Sequence, residues 1–175
     1  MVLKSKYIYF LMIISLIAVS CERIVSYVNG PPVDTGFMRT FGTDFYDYGW
    51  GIDEAFDGGY IVVGSKEHRS DRTRDALMIK TDEDGFGMWE KSFGGAENDE
   101  LISVKQTMDG GFIAVGYSSS FGSVKQVYIL KVDYYGNLLW DQVLGGPNLD
   151  LAYEVIETNN GNYMIIGTSN SPGIS

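Results

Sequence analysis

Asp109-Gly110-Gly111-Phe112-Ile113-Ala114-Val115-Gly116 is the stretch from which the rest of the chain is read. Shifted back by 52 residues it becomes Asp57-Gly58-Gly59-Tyr60-Ile61-Val62-Val63-Gly64, and shifted forward by 51 it becomes Asn160-Gly161-Asn162-Tyr163-Met164-Ile165-Ile166-Gly167. The same spacing relates Lys80 and Asp82 to Lys131 and Asp133, Gly85 and Trp89 to Gly136 and Trp140, and Phe93-Gly94-Gly95 to Leu144-Gly145-Gly146. Upstream, Phe37-Met38-Arg39-Thr40-Phe41-Gly42 aligns with Trp89-Glu90-Lys91-Ser92-Phe93-Gly94.

A period near 50 residues indicates stacked repeats, and four short strand signals per period favour a propeller blade. The first unit places strands at Trp50 to Phe56, Tyr60 to Gly64, Ala76 to Lys80 and Met88 to Phe93. The second places them at Leu101 to Thr107, Phe112 to Gly116, Val127 to Lys131 and Leu138 to Leu144, and the third begins with Ala152 to Thr158 and Tyr163 to Gly167. Asp57-Gly58, Asp109-Gly110 and Asn160-Gly161 suit tight hairpins with positive backbone angles. The fold expected is all-β: a partial β-propeller of four-stranded antiparallel blades, about two complete blades plus a partial blade. Apolar runs such as Ile61-Val62-Val63 predict strands covered on both faces. On each first strand, Trp50, Ile52 and Glu54 match Ile102, Val104 and Gln106, then Tyr153, Val155 and Glu157, which predicts one face running from apolar to polar.

Residues 1–20 read as a secretory signal. Lys4 and Lys6 precede Tyr7 to Val19, an almost unbroken apolar run of 13 residues, shorter than the roughly 20 that span a bilayer. Ala18-Val19-Ser20-Cys21 resembles the bacterial lipoprotein box, in which the cysteine is acylated after cleavage; that family usually has Leu where this chain has Ala18. The resemblance implies attachment to a lipid bilayer through acylated Cys21. With Glu22 rather than Asp next, it implies delivery to the outer membrane in an organism with two membranes. An ordinary signal peptide and an uncleaved anchor are the competing readings. Cys21 is the single cysteine, so no intrachain disulfide can form. Residues 21–36 contain Asn29-Gly30-Pro31-Pro32 and read as a tether, with a short edge strand involving Ile24, Val25 and Val28 as the alternative. The array then spans 37–170, and 171–175 form a tail.

The formal charge is −10. Removing residues 1–20 takes away Lys4 and Lys6 and no carboxylate, which moves it to −12. A surface of this sign disfavours nucleic acid as a partner.

Recurring residues have structural readings first. Trp89 and Trp140, with Phe37, are candidate wedges between blades, and Gly64, Gly116 and Gly167 permit close approach. Asp82 and Asp133, and likewise Asp47, Asp99 and Asp150, suit stapling of turns through their N–H groups; calcium, needing about six to eight oxygens, is the alternative at Asp82-Glu83-Asp84. Function is sought where copies differ. The link Ser65 to Asp75 carries Glu67, His68, Arg69 and Asp71, and the milder link of the second unit carries Phe121; these five form the candidate partner-contact loop residues. His68 beside Glu67 and Asp71 has the residue types for acid–base work, but no nucleophile elbow, phosphate loop or paired-histidine metal motif is present. No catalytic, cofactor-binding or metal residue is assigned.

The segments Asp57 to Gly64, Lys80 with Asp82, Gly85 with Trp89, Phe93 to Gly95, and their second copies resemble the repeat arrays of bacterial and archaeal exported propellers of unknown function. That resemblance covers about Phe37 to Ser169 and is specific for the repeat rather than for an activity; the leading functional expectation is a surface-tethered structural or binding module for protein or carbohydrate. The Gly-x-x-x-Trp element is also similar to that of quinone-type propellers, although the surrounding Asp spacing differs. An exported carbohydrate-active or quinone-dependent enzyme is therefore the enzymatic alternative. A common propeller needs roughly four to eight blades, so the chain reads either as a truncated product or as a segment completed by another copy or a protein partner.

Overall fold

A computed structural model describes residues 24–27, 37–68 and 70–172, the first of these segments as backbone only. The signal segment, Cys21, Arg69 and the end of the tail lie outside the described residues.

The chain is all-β, with two complete four-stranded antiparallel blades and two half-blades. Strands β1 (Ile24–Tyr27) and β2 (Met38–Phe41) form a two-stranded sheet. The edge-strand alternative for the tether is thus the arrangement found at 24–27. The first complete blade is β3 (Asp47–Glu54), β4 (Tyr60–Glu67), β5 (Arg74–Thr81) and β6 (Gly87–Phe93), paired in chain order. The second is β7 (Asp99–Gln106), β8 (Phe112–Ser118), β9 (Gln126–Val132) and β10 (Leu138–Leu144). Strands β11 (Asp150–Glu157) and β12 (Tyr163–Ser169) begin a third.

The β3–β4, β7–β8 and β11–β12 turns are alike. Gly58, Gly110 and Gly161 take φ of 82°, 84° and 79°, a region open to glycine because it has no Cβ to clash. In the first two copies the preceding carboxylate accepts the next amide, Gly59 N to Asp57 Oδ1 at 3.0 Å and Gly111 N to Asp109 Oδ1 at 2.9 Å.

One expectation is corrected by the register. Pairing skips a residue between Gly49 and Gly51, between Leu101 and Ser103, and between Ala152 and Glu154. Each first strand therefore carries a bulge, which inserts an unpaired residue and shifts the side-chain phase. Leu101 and Val104, three apart, share one core cluster, and Ala152 with Val155 share another. Ile102, Val104 and Gln106 do not form the single face that plain alternation predicts. The bulge sits opposite Gly64, Gly116 and Gly167, where an added Cβ would lie 1.7, 2.0 and 2.1 Å from the carbonyl oxygens of Tyr48, Glu100 and Leu151. Close strand approach is what those glycines permit.

The core lies between blades. Ile61, Val63, Ala76 and Met78 of the first blade pack against Leu101, Val104, Phe112, Ala114 and Leu130 of the second. Ile113, Val115 and Ile129 then meet Ala152 and Val155 of the third. On the other side of the first blade, Val62, Leu77 and Ile79 are covered by Phe41. A strand between two neighbours must be apolar on both faces, which explains the unbroken runs in β4 and β8.

Aromatic wedges recur at each junction as expected. Ring centroids lie 6.0 Å apart for Phe37 and Tyr60, 6.1 Å for Trp89 and Phe112, and 6.0 Å for Trp140 and Tyr163. Trp89 also donates its indole N–H to Tyr134 O at 3.0 Å. Truncating a buried Trp costs about 3–5 kcal/mol. Trp89→Ala should reduce stability by about 3 kcal/mol, and Trp140→Ala by less, because Trp140 remains 37% exposed. Urea unfolding of the two variants, followed by fluorescence, measures the order; equal losses would remove the wedge role from Trp89.

Candidate functional site

The recurring carboxylates are engaged within the scaffold. Asp82 Oδ1 accepts from Asp84 N at 3.0 Å and Phe86 N at 2.8 Å, and Asp133 Oδ1 accepts from Tyr135 N at 2.9 Å and Asn137 N at 2.8 Å. Asp99 and Asp150 each accept from the amide four residues earlier, Gly95 N and Gly146 N, both at 2.8 Å, and Asp47 accepts from Thr43 N in the same way. Stapling is the role the geometry gives them. Among the described residues no group of three or more His, Cys, Asp or Glu is placed to hold a metal ion.

A polar knot that the sequence reading did not assemble lies at the β3–β4 turn. Lys80 is fully buried, and its Nζ donates to both carboxylate oxygens of Asp57, at 3.0 and 2.9 Å, and to Thr81 O at 2.7 Å. Tyr134, from the next blade, donates its hydroxyl to Asp57 Oδ2 at 2.7 Å. Lys131 and Asp109 repeat the pair, 3.0 Å apart. A buried ammonium requires such a partner because desolvation penalises it heavily. The signal was present: Asp and Lys recur together in both complete units. Burial pushes the Asp57 carboxyl upward, but hydrogen bonds from Lys80, Tyr134 and Gly59 outweigh it and hold the group at about 2. Asp109 shows the same balance, with Thr107, Gly111 and Lys131 as donors, and also lies at about 2.

The candidate contact loop is the β4–β5 link. Glu67 ends β4 with its side chain buried and binds Arg72 at 2.7 Å. Arg72 reaches it from a left-handed backbone conformation, φ 64°, and lies 5.6 Å from the Phe45 ring centroid. His68 Nε2 stands 2.7 Å from Asp75 Oδ2. Asp71 accepts from Thr73 N at 3.0 Å and Thr73 Oγ1 at 2.7 Å; the Thr73 hydroxyl, then its amide, hold the Asp71 carboxyl below the usual range. Thus the structure brings Glu67, His68 and Asp71 onto one loop but gives each its own local partner. His68 faces Asp75 rather than forming a triad with Glu67 and Asp71. Phe121 lies on the corresponding β8–β9 loop of the next blade, half-exposed, with its ring 5.8 Å from that of Tyr128.

The base of this loop is fixed to the second blade, which the sequence reading missed. Arg74 binds Glu100 at 2.8 Å and donates its amide to Asn98 Oδ1 at 3.1 Å, while its guanidinium lies 5.1 Å from the Tyr48 ring centroid. A platform with two adjoining polar loops results. Its chemistry is that of contact: paired charges, an exposed imidazole and a half-exposed ring.

Acid should weaken the knot. Asp57 and Asp109 have depressed folded-state pKa values, so their contribution is present above the unfolded carboxylate value near 3.9 and is lost as pH falls towards about 2. Unfolding midpoints at pH 5 and pH 2.5 should therefore differ, and the double variant Asp57→Asn, Asp109→Asn should flatten that difference. An unchanged pH dependence in the double variant would exclude these carboxylates as its source.

No protein-family model and no curated protein matches the chain, so its assignment rests on the all-β architecture of four-stranded antiparallel sheets, consistent with β-propeller-like proteins in general.

Proposed function

We propose that the chain is an extracytoplasmic structural or binding module of the exported-propeller type, tethered to the cell envelope by acylated Cys21 and presenting the β4–β5 and β8–β9 loops to a protein or carbohydrate ligand. The observation that carries this reading is the commitment of the recurring aspartates to a turn, as for Asp82, Asp133, Asp47, Asp99 and Asp150, or to a lysine, as for Asp57 and Asp109. The polar residues that differ between blades then sit on loops whose charges are paired locally, an arrangement suited to recognition by shape and hydrogen bonding. The lipoprotein-like Ala18-Val19-Ser20-Cys21 supports the anchor, and Glu22 supports outer-membrane delivery where two membranes exist. Without residues 1–20, and so without Lys4 and Lys6, the net charge of −12 makes the acyl group, rather than the protein surface, the membrane-binding element.

Fractionation of cells expressing the chain tests the anchor: the unsubstituted protein should sediment with membranes, and Cys21→Ser should move it to the soluble exported fraction. Membrane retention of Cys21→Ser would exclude lipidation as the tether. Incubation with panels of envelope glycans and proteins should give saturable binding without turnover, weakened by substitution of His68 and Phe121. Turnover abolished by one loop carboxylate would establish the enzymatic alternative instead.

A further inference from the structure

The two half-blades are complementary. β11 and β12 hold the first two strand positions of a blade, and β1 and β2 hold the last two. The β1–β2 partners are Ile24↔Phe41, Val25↔Thr40, Ser26↔Arg39 and Tyr27↔Met38. Each pair lies 52 residues before its counterpart in β5–β6: Ala76↔Phe93, Leu77↔Ser92, Met78↔Lys91 and Ile79↔Glu90. β1 therefore presents, in the same phase, the edge with which β5 receives β4. Among the described residues β12 pairs only with β11, and its other edge is the one that takes a third strand in both complete blades.

The uncovered faces are reciprocal as well. Met164 and Ile166 are 60% and 66% exposed, whereas their counterparts Ile61, Ile113, Val63 and Val115 are at most 1% exposed. At the opposite end Ile52 is 52% exposed, whereas its counterparts Val104 and Val155 are 2% and 0%. At the internal junctions these positions share clusters, Val104 with Ile61 and Val63, and Val155 with Ile113 and Val115. The face that would cover Ile52 is thus the one carrying Met164 and Ile166.

The β11–β12 turn states what kind of third strand it accepts. In the complete blades Asp57 and Asp109 bind a third-strand lysine, and a Cβ on Gly59 or Gly111 would come within 2.7 or 2.5 Å of that lysine's Nζ. The half-blade has Asn160 and Asn162 at these positions, so it lacks both the anion and the space. A strand without the lysine fits. The residue 52 before Lys80 is Val28, which follows β1 in the sequence.

Resting on the reading of the chain as a propeller-blade module, we propose that its ring partner is a second copy docked head to tail. β1–β2 of each copy completes the blade begun by β11–β12 of the other. Transfer of the β4–β5 register gives Ile165↔Tyr27, Ile166↔Ser26, Gly167↔Val25 and Thr168↔Ile24, counterparts of Val62↔Ile79, Val63↔Met78, Gly64↔Leu77 and Ser65↔Ala76. Met164 and Ile166 of one copy cover Ile52 of the other. The contact is heterologous, so it must either close or run on as a filament. The twelve strands among the described residues make three blades of four; two copies bring six such blades together, within the roughly four to eight that propellers use.

The test uses the full chain, purified from membranes in mild detergent. The unsubstituted protein should have twice the monomer mass by light scattering corrected for detergent. The chain carrying Ser26→Cys and Ile166→Cys should, on mild oxidation, run at double mass without reductant and at single mass with it, and peptide mapping should join positions 26 and 166. Replacing the second site with Met164→Cys, two register positions away, should lose the double-mass species. A folded monomer by far-UV circular dichroism and light scattering, a disulfide within one chain, a ladder of higher multimers, or an equal double-mass band from the unsubstituted chain through Cys21 would each overturn the proposal. Failure of the anchored-module reading looks different. A cross-linked dimer found in the soluble fraction removes the anchor and keeps the docking, and a folded monomer on the membrane does the reverse.

Discussion

Each blade of this protein has two apolar faces, and only another blade can cover them. A four-stranded sheet standing alone would leave both rows of side chains from β4 or β8 in water, and fully burying an Ile or Val is worth about 1.5–3 kcal/mol. Interdigitation at that scale demands close approach, and the wedges show how it is reached. Phe37 lies where a Cβ on Gly85 would stand, 2.2 Å from its ring, and Trp89 lies 3.0 Å from the corresponding point on Gly136. Glycine on one blade and aromatic ring on its neighbour are two halves of one packing solution. The spacing of the repeat follows from the need to present both halves once per blade.

The polar framework obeys the same geometry with a different currency of interaction. Lys80 is buried because its position in β5 faces the turn of its own blade, and Asp57 is the counter-ion that makes this tolerable. Tyr134 reaches the same carboxylate from the following blade. A group that closes a hairpin inside one blade is therefore also a contact between two. This coupling makes the junction polar at its rim and dry at its centre, as in other well-packed interfaces.

Much of this was legible in the sequence because repetition supplies its own alignment. Asp-Gly at the tight turns, the aromatic wedges, the stapling aspartates and the strand order could all be read by comparing one copy with another. The bulge opposite Gly64, Gly116 and Gly167 could not, since plain alternation assigns Ile102 and Val104 to one face and only the register reveals the unpaired residue between Leu101 and Ser103. The Asp57–Lys80 pair was visible as two recurrences but not as one contact, because 23 residues separate them and a turn had already accounted for the carboxylate. The loop residues were the least legible. Glu67, His68 and Asp71 are neighbours in sequence, yet the backbone at Arg72 turns their side chains towards separate partners. Non-repeating segments offer no second copy against which to read them.

The junctions also show how a repetitive chain keeps its blades in order. Apolar faces built to one pattern would pack in any sequence, so adhesion alone does not specify neighbours. Some polar contacts do recur: Phe56 N donates to Gln106 Oε1 at the first junction, and Met108 N donates to Glu157 Oε2 at the second. Others belong to one junction alone. Lys105 binds Asp53 at 2.8 Å at the first, but the residue matching Lys105 in the third copy is Ile156, and at the second junction Ser103 donates to Glu154 at 3.2 Å instead. Placing the third copy directly after the first would set Ile156 against Asp53 and leave that carboxylate without its ammonium. The common pattern thus supplies the burial, and the departures from it fix which blade follows which.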